Sequence, residues 1–216
     1  MIFIHGLKSD MKGQKSVFLN NLCRRKDISF LCFDFRGHGK SSGDFVDFGI
    51  GDWYSDLKNL IKYLNIKDSV VVGSSMGGWV AMLYALNFPK KVSKLIGIAP
   101  APDFTLNLIW NELNSKEKEK IKSNKIVIKK INKEFSYSYS PKLFTNSKDF
   151  FIKDIKKIFR GETILFHGAK DLTVNHKYND RFYKNSNFPE LINITIKGAD
   201  HSMSDKFSLK TISKYI

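Results

Sequence analysis

A chain of 216 residues, 42% of them hydrophobic, can bury one sizeable core, so we expect a single domain over residues 1–216 rather than a disordered chain. The formal net charge is +15, but it comes from 31 lysines scattered along the chain and only five arginines. This distribution favours a solvated lysine surface over a nucleic-acid partner, and no RNA-reading or helix-turn-helix pattern accompanies it.

The cysteines and the apolar runs indicate in which compartment the protein is expected. Cys23 and Cys32 match no disulfide framework or metal-ligand spacing, so we expect a reducing compartment, no metal and no cofactor. The opening run MIFIHG is too short for a signal-peptide core, and no stretch approaches the length of a membrane span. We therefore predict a cytoplasmic protein without stable membrane insertion, either a monomer or a homodimer.

Short apolar runs alternate with amphipathic stretches along the chain. The runs lie at 1–6, 29–35, 69–73, 94–100, 163–168 and 192–198, and the stretches with helical spacing at 13–26, 51–65 and 77–89. Continuous runs rich in β-branched residues or Phe are typical of strands covered on both faces. The alternation predicts an α/β fold with a doubly wound, mostly parallel sheet. Most runs end in Gly, His, Asp or Ser, so we expect a site at the carboxyl ends of the strands.

The alternation is interrupted once, between Pro102 and about Gly161. The highly charged stretch 112–135 has helical spacing, and a polar, aromatic segment, SYSYSPKLF, follows it. We expect a helical cap or lid over about 103–160, inserted between two strands; a long surface excursion is the alternative. The apolar residues at its entrance suit an acyl pocket or, equally, the packing of the cap onto the domain. These residues are Phe104, Leu106, Leu108, Ile109 and Trp110.

The motif that carries chemistry is GSSMG at residues 73–77, which fits G-x-S-x-G with Ser75 at its centre. A predicted strand precedes it and a predicted helix follows it. The sharp turn between them needs small residues on both sides, because the central residue has a strained backbone. This context predicts Ser75 as a nucleophile and Ser74 as a small turn residue.

A serine hydroxyl needs a base within hydrogen-bond reach and a group that orients the base. His5, His38, His167 and His176 each have a plausible local structural role. His201, in the loop after the last predicted strand, follows the candidate acid Asp171 in chain order.

The order Ser75, Asp171, His201 is the one expected for this motif. Asp103 is the main competitor for the acid, and Asp200 is better interpreted as a loop-capping residue. Two backbone amides complete the predicted site, those of Met76 and Leu7, which we expect to stabilise an oxyanion.

These segments resemble the α/β-hydrolase superfamily. HGLKSD matches its oxyanion loop, GSSMGG its nucleophile elbow, and HGAKD and GADH the loops of its acid and base. GLKSDMKGQK, GDWYSDL and VGSSMGGWVAMLYA further resemble the branch of bacterial serine esterases and mitochondrial palmitoyl-protein thioesterases, also described as acyl-glucuronide esterases. The resemblance implies catalytic roles for Ser75, Asp171 and His201. Members of the superfamily usually carry one or two strands before the oxyanion loop, so we expect a sheet that lacks this N-terminal edge.

The sequence therefore predicts a serine hydrolase that cleaves carboxylic esters or thioesters through an acyl-enzyme on Ser75. Its substrate would be a small molecule or an acylated protein. The alternatives are a serine peptidase or another acyl-transfer hydrolase, and a hydrolase-like binding protein without activity. Haloalkane dehalogenase chemistry is disfavoured because its nucleophile is a carboxylate.

Overall fold

Strands and helices alternate along the first hundred residues of the computed structural model, which describes residues 1–130, 136–179 (without the side chains of 176 and 179) and 187–216. The strands are β1 (Ile2–Ile4), β2 (Leu31–Cys32), β3 (Ser69–Ser74), β4 (Val92–Ile98), β5 (Val127–Lys130), β6 (Ser136–Tyr139), β7 (Glu162–Gly168) and β8 (Leu191–Ile196). The helices are α1 (Gln14–Arg25), α2 (Ile50–Tyr63), α3 (Met76–Asn87), α4 (Trp110–Glu112), α5 (Ser115–Lys122), α6 (Pro141–Ser147) and α7 (Lys206–Ile212).

Six of the strands form one sheet in the order β2-β1-β3-β4-β7-β8, and all of their pairings are parallel. The predicted doubly wound parallel sheet is therefore confirmed. Because the strands run in one direction, the loops after β1, β3, β7 and β8 all leave the sheet at the same edge. Within the described ranges, no helix combines the length and the apolarity needed to cross a bilayer.

Alternating side chains of the strands build two cores on opposite faces of the sheet. Val72 and Ile96 pack with α1 and α7 on one face, whereas Val71 and Leu95 pack with α2 and α3 on the other. The central strands are buried on both faces, as the apolar runs predicted. The edge strand β8 is not, and Ile192 on it is 48% exposed.

The predicted helix over 112–135 is wrong for most of its length. The helix α5 ends at Lys122, and Asn124 adopts a φ of 59°, a left-handed conformation that ends the helical path. The following residues form β5, which pairs with β6 in an antiparallel hairpin. The β-branched pair Ile126-Val127 and Ile128 favour the strand over the helix, while residues 131–135 lie outside the described part.

Polar contacts join the two ends of the segment between β4 and β7 to each other and tie the segment to α3. The carboxylate of Asp103 is fully buried and accepts hydrogen bonds from the amides of Ile152 (2.7 Å) and Lys153 (3.2 Å). The indole Nε1 of Trp79, on α3, donates to the carbonyl of Phe150 at 2.9 Å. The first two contacts join the start of the segment to its end, and the third ties its end to the helix that follows the GSSMG motif.

The turn from β3 into α3 is packed too tightly for side chains. A Cβ on Gly77 would lie 2.5 Å from the carbonyl oxygen of His5 and closer still to that of Ile4, and a Cβ on Gly78 would lie 2.6 Å from Cβ of Pro100. These two glycines therefore let the helix begin close to the sheet.

Replacing Gly77 with Ala is expected to lower the free energy of unfolding by about 1–3 kcal/mol, because backbone atoms of β1 would have to move. Gly198→Ala is the control, since among the described residues a Cβ at that position would meet no heavy atom within 4 Å. Urea denaturation measures both variants. Equal stability of the two would contradict the tight packing of the turn.

Candidate active site

Ser75 occupies the turn between β3 and α3 in a conformation that side chains rarely adopt, with φ 54° and ψ −119°. Its N–H donates to the carbonyl of Ile98 at 3.0 Å, and its own carbonyl accepts from the amides of Gly78 (2.9 Å) and Ala101 (3.1 Å). Backbone strain of this kind costs about 1–3 kcal/mol and persists only where the surroundings hold it. The turn therefore presents the Ser75 hydroxyl at the carboxyl edge of the sheet.

The structure brings the three predicted side chains together in one hydrogen-bonded chain. Nε2 of His201 lies 3.0 Å from Oγ of Ser75, and Nδ1 of His201 lies 2.8 Å from Oδ2 of Asp171. A carboxylate only accepts hydrogen bonds, so Nδ1 carries the proton in this arrangement and Nε2 is free to accept from the serine. This geometry can move a proton from Ser75 to His201.

The Asp171 carboxylate is fully buried and fixed on its other oxygen. Oδ1 accepts the amides of Thr173 at 2.8 Å and Val174 at 2.7 Å, and Oδ2 is left for His201. The imidazole of His201 is 26% exposed. The acid is thus shielded from water, while the base remains open to the space in front of Ser75.

The competing acids have other contacts. Asp103 binds the amides of Ile152 and Lys153, as described above, and Oδ1 of Asp200 accepts the amide of Met203 at 3.1 Å. Asp200 thus caps its own loop, as predicted. Ser74 is the last residue of β3 and is buried beside its neighbour.

The loop after β1 passes directly over the nucleophile. A Cβ on Gly6 would lie 3.3 Å from Cβ of Ser75, so a side chain there would crowd the serine. The next residue, Leu7, lines the space around Ser75. Met76, the first residue of α3, lines the same space. The amide of Met76 is among the first of α3 and has no partner within that helix. An oxyanion role for the amides of Leu7 and Met76 stays a prediction.

Three of the remaining histidines are buried. His167 is fully buried at the end of β7, and His5 and His38 are buried side by side with ring centroids 5.1 Å apart. The side chain of His176 lies outside the described part.

Two cavities, each of about 290 Å³, meet at Ser75 and His201. The first is lined mainly by apolar side chains: Leu7, Met76, Ala101, Phe104, Leu108, Ile109, Tyr137, Tyr139, Leu172 and Val174. We call it the apolar cavity. Of the five apolar residues proposed for an acyl pocket, Leu106 and Trp110 instead line a separate groove with α5 and α6.

The spacing of an α-helix places Phe104 and Leu108 on one face and Leu106 and Trp110 on the opposite one, but it groups Ile109 with Leu106. The structure instead forms a π-helix over Thr105–Ile109, and Ile109 lines the apolar cavity. The tyrosines of β6 were missed, although SYSYS alternates as a strand does. Their inward direction depends on the pairing with β5, which the sequence did not reveal.

The second cavity, which we call the polar cavity, lies between the loop after β1, the start of α1 and the loop of His201. Ser9, Asp10, Gln14, Lys15, Ser202 and Ser204 contribute polar groups to its lining. Lys15 Nζ donates to the carbonyl of Ser202 at 2.7 Å, and Lys8 Nζ donates to the carbonyl of Ser136, on β6, at 2.9 Å. The second contact joins the loop over Ser75 to the hairpin.

Comparison with known proteins identifies the family of the chain. The profile of the alpha/beta hydrolase fold family matches residues 1–117, more than half of the chain. The chain belongs to the α/β-hydrolase family. Within it, the chain is similar to the mitochondrial palmitoyl-protein thioesterase ABHD10 of Rattus norvegicus, with 29% identity over 206 residues that span 95% of this chain and 69% of the rat protein.

Solved structures agree with this placement. The α/β-hydrolase domain-containing protein 10 from mouse superposes with a TM-score of 0.87 and 26% identity, covering 99% of this chain and 86% of the mouse chain. A putative hydrolase from Agrobacterium vitis S4 superposes with a TM-score of 0.91 at 24% identity, covering 99% and 85%, and shares the fold. This α/β-hydrolase is thus an enzyme of the ABHD10-like branch. The name of the rat relative says mitochondrial, so the cytoplasmic location of this chain stays a prediction.

The burial of His38 is expected to make the folded protein less stable in acid. Removal from water and the neighbouring His5 lower the pKa of His38 from 6.5 to about 4. Between these pH values His38 binds a proton in the unfolded chain but not in the folded chain. The free energy of unfolding therefore falls as the pH drops from about 6.5 to about 4. A shift of this size corresponds to about 3 kcal/mol.

His38→Phe keeps an aromatic ring in the cluster and removes this titration, so its stability is expected to fall less steeply over that pH range than that of the wild type. The free energy of unfolding from urea titrations at pH 7, 5.5 and 4 measures the slope. Identical slopes would contradict the prediction.

Proposed function

We propose that this α/β-hydrolase cleaves carboxylic esters or thioesters by acyl transfer to Ser75. The observation that supports the proposal is the hydrogen-bonded chain from Ser75 through His201 to the buried Asp171. The names of relatives agree with it: besides the rat thioesterase, an sn-1-specific diacylglycerol lipase ABHD11 of Danio rerio is 35% identical over 105 residues, which span 49% of this chain and 32% of the fish protein.

In the first half of the reaction, Oγ of Ser75 attacks the carbonyl carbon while Nε2 of His201 takes the serine proton. The carbonyl π electrons move to oxygen, and a tetrahedral intermediate forms. Asp171 holds the Nδ1–H tautomer of the imidazole and stabilises the imidazolium ion. When the intermediate collapses, His201 gives its proton to the departing oxygen or sulfur, and the acyl group remains on Ser75.

In the second half, His201 takes a proton from water, and the resulting hydroxide attacks the acyl carbon. Collapse of this intermediate releases the carboxylic acid and returns the proton to Ser75. Both intermediates carry a negative oxygen, for which the amides of Leu7 and Met76 are the proposed donors. The N-terminal end of α3 adds its positive dipole end at the same place.

The two cavities indicate how a substrate would lie. An apolar acyl chain fits the apolar cavity, where Phe104, Leu108 and Tyr139 offer hydrocarbon and ring surfaces. The leaving group would then occupy the polar cavity, which offers both hydrogen-bond donors and acceptors. Oxygen esters and thioesters need the same machinery and differ mainly in the proton that the leaving group requires.

We further propose that the segment of about 103–160 is a cap on the domain of residues 1–216. Phe104, Leu108 and Ile109 at its start and the two tyrosines of β6 line the apolar cavity from this segment. Their position above Ser75 gives the cap a role in selecting the acyl group.

A fluorophosphonate probe tests the nucleophile. Wild-type protein and Ser74→Ala are expected to be labelled, whereas Ser75→Ala is not, because the hydroxyl of Ser75 lies 3.0 Å from Nε2 of His201. Hydrolysis of p-nitrophenyl esters and acyl-thioesters of graded chain length is expected to fall on the order of a million-fold in Ser75→Ala. Labelling of Ser75→Ala as strong as that of wild type would refute the mechanism, and an unlabelled wild type would favour a binding protein.

The two candidate acids give a second test. Asp171→Asn is expected to lower kcat roughly 10⁴-fold, because the amide favours the wrong tautomer of His201. Asp103→Asn leaves the His201–Asp171 hydrogen bond in place, so its main expected effect is a lower thermal stability from the weakened anchor of Ile152 and Lys153. The reverse pattern, with activity lost in Asp103→Asn alone, would assign the acid to Asp103.

A further inference from the structure

The carbonyl of Gly6 is held by two donors. Nδ1 of His5 lies 2.8 Å from it, and the amide of Ser9 donates to it at 3.1 Å. Lys8, between them, has a φ of 53°, so the chain turns sharply back on itself over Ser75. The carbonyl is thus fixed in direction from two sides.

The Gly6 carbonyl and the Leu7 N–H belong to the same peptide unit. This unit is planar and trans, so its N–H points opposite to its C=O. Whatever turns the Gly6 oxygen therefore turns the Leu7 N–H by the same angle. A fixed Gly6 oxygen aims the Leu7 N–H in a fixed direction, away from the ring of His5.

The ring of His5 is itself immobilised in one protonation state. It is 1% exposed and packs against Phe35 and His38, with centroid distances of 5.0 and 5.1 Å. A carbonyl only accepts, so Nδ1 carries the proton, while Nε2 accepts the amide of Phe35 at 3.4 Å. Burial also lowers the pKa of His5, which keeps the ring neutral near pH 7.

From these contacts we propose that His5 is a positioning residue for the reaction: its Nδ1–H holds the Gly6–Leu7 peptide so that the Leu7 N–H meets the oxyanion. The inference rests on the proposed function, since it assigns a support to one of the two oxyanion donors. It separates His5 from His38, which lies in the same aromatic cluster but contacts the Arg36 carbonyl instead, at 3.3 Å.

An isosteric pair of variants isolates the hydrogen bond. His5→Asn and His5→Leu leave the same space unfilled, but the Asn amide can donate from nearly the position of Nδ1 and Leu cannot. His38→Phe controls for a change in the cluster that spares the Gly6 carbonyl. The measurements are kcat and KM on the best p-nitrophenyl ester, the affinity for a trifluoromethyl ketone analogue of that ester, and the thermal midpoint.

We expect His5→Leu to lose about 10- to 100-fold in kcat with little change in KM, and to lose affinity for the trifluoromethyl ketone in the same proportion. His5→Asn should recover most of both losses at a similar thermal midpoint, and His38→Phe should keep kcat within about threefold of wild type. If His5→Leu does not fold, His5→Gln replaces it, because its amide reaches the position of Nε2 rather than Nδ1; it should then remain slow while His5→Asn is active.

The proposal is overturned if folded His5→Leu keeps wild-type kcat and analogue affinity, or if the Asn variant is as slow as the Leu or Gln variant. It is also overturned if the loss falls on KM alone. Failure of the proposed function gives a different result, namely a wild-type protein that hydrolyses no ester and is not labelled at Ser75.

Discussion

The close approach of α3 to the sheet is the constraint on which the rest of the site depends. Gly77 and Gly78 let the helix begin against the carbonyls at the end of β1 and against Pro100, and this contact holds Ser75 in its strained conformation. The same approach brings the first helix amide and the loop after β1 to one point. The contact between α3 and the sheet therefore helps to position the nucleophile and both candidate oxyanion donors. A side chain at Gly77 or Gly78 would disturb all three groups.

The parallel sheet then supplies the other members of the site without further adjustment. Asp171 follows β7 and His201 follows β8, and both loops leave the sheet at the edge where Ser75 stands. The two buried acids, Asp171 and Asp103, have different hydrogen-bond partners. Asp171 keeps one oxygen for the histidine, whereas Asp103 uses both of its oxygens to join the two ends of the segment between β4 and β7. A buried carboxylate needs such partners in either case, so burial alone does not distinguish a catalytic acid from an anchor.

Sequence reasoning succeeded where backbone geometry restricts the residue type. The turn at Ser75 accepts only small neighbours, and the central strands must be apolar on both faces, so both left clear patterns. It failed on the hairpin of β5 and β6, because the lysines and isoleucines of 125–130 satisfy a helical spacing as well as a strand, and only pairing with Tyr137 and Tyr139 decides between them. The hydrogen bond from His5 to the Gly6 carbonyl could not be predicted either, because a histidine before a glycine does not reveal which carbonyl its ring will contact.

The hydrogen bond from Lys8 to the carbonyl of Ser136 joins the hairpin of β5 and β6 to the loop after β1. Lys8 lies one residue after Leu7, so the hairpin whose tyrosines line the apolar cavity and the turn that carries a candidate oxyanion donor share one contact. Under the proposed function, the wall that would receive the acyl group and the peptide that would stabilise the oxyanion are parts of one connected surface.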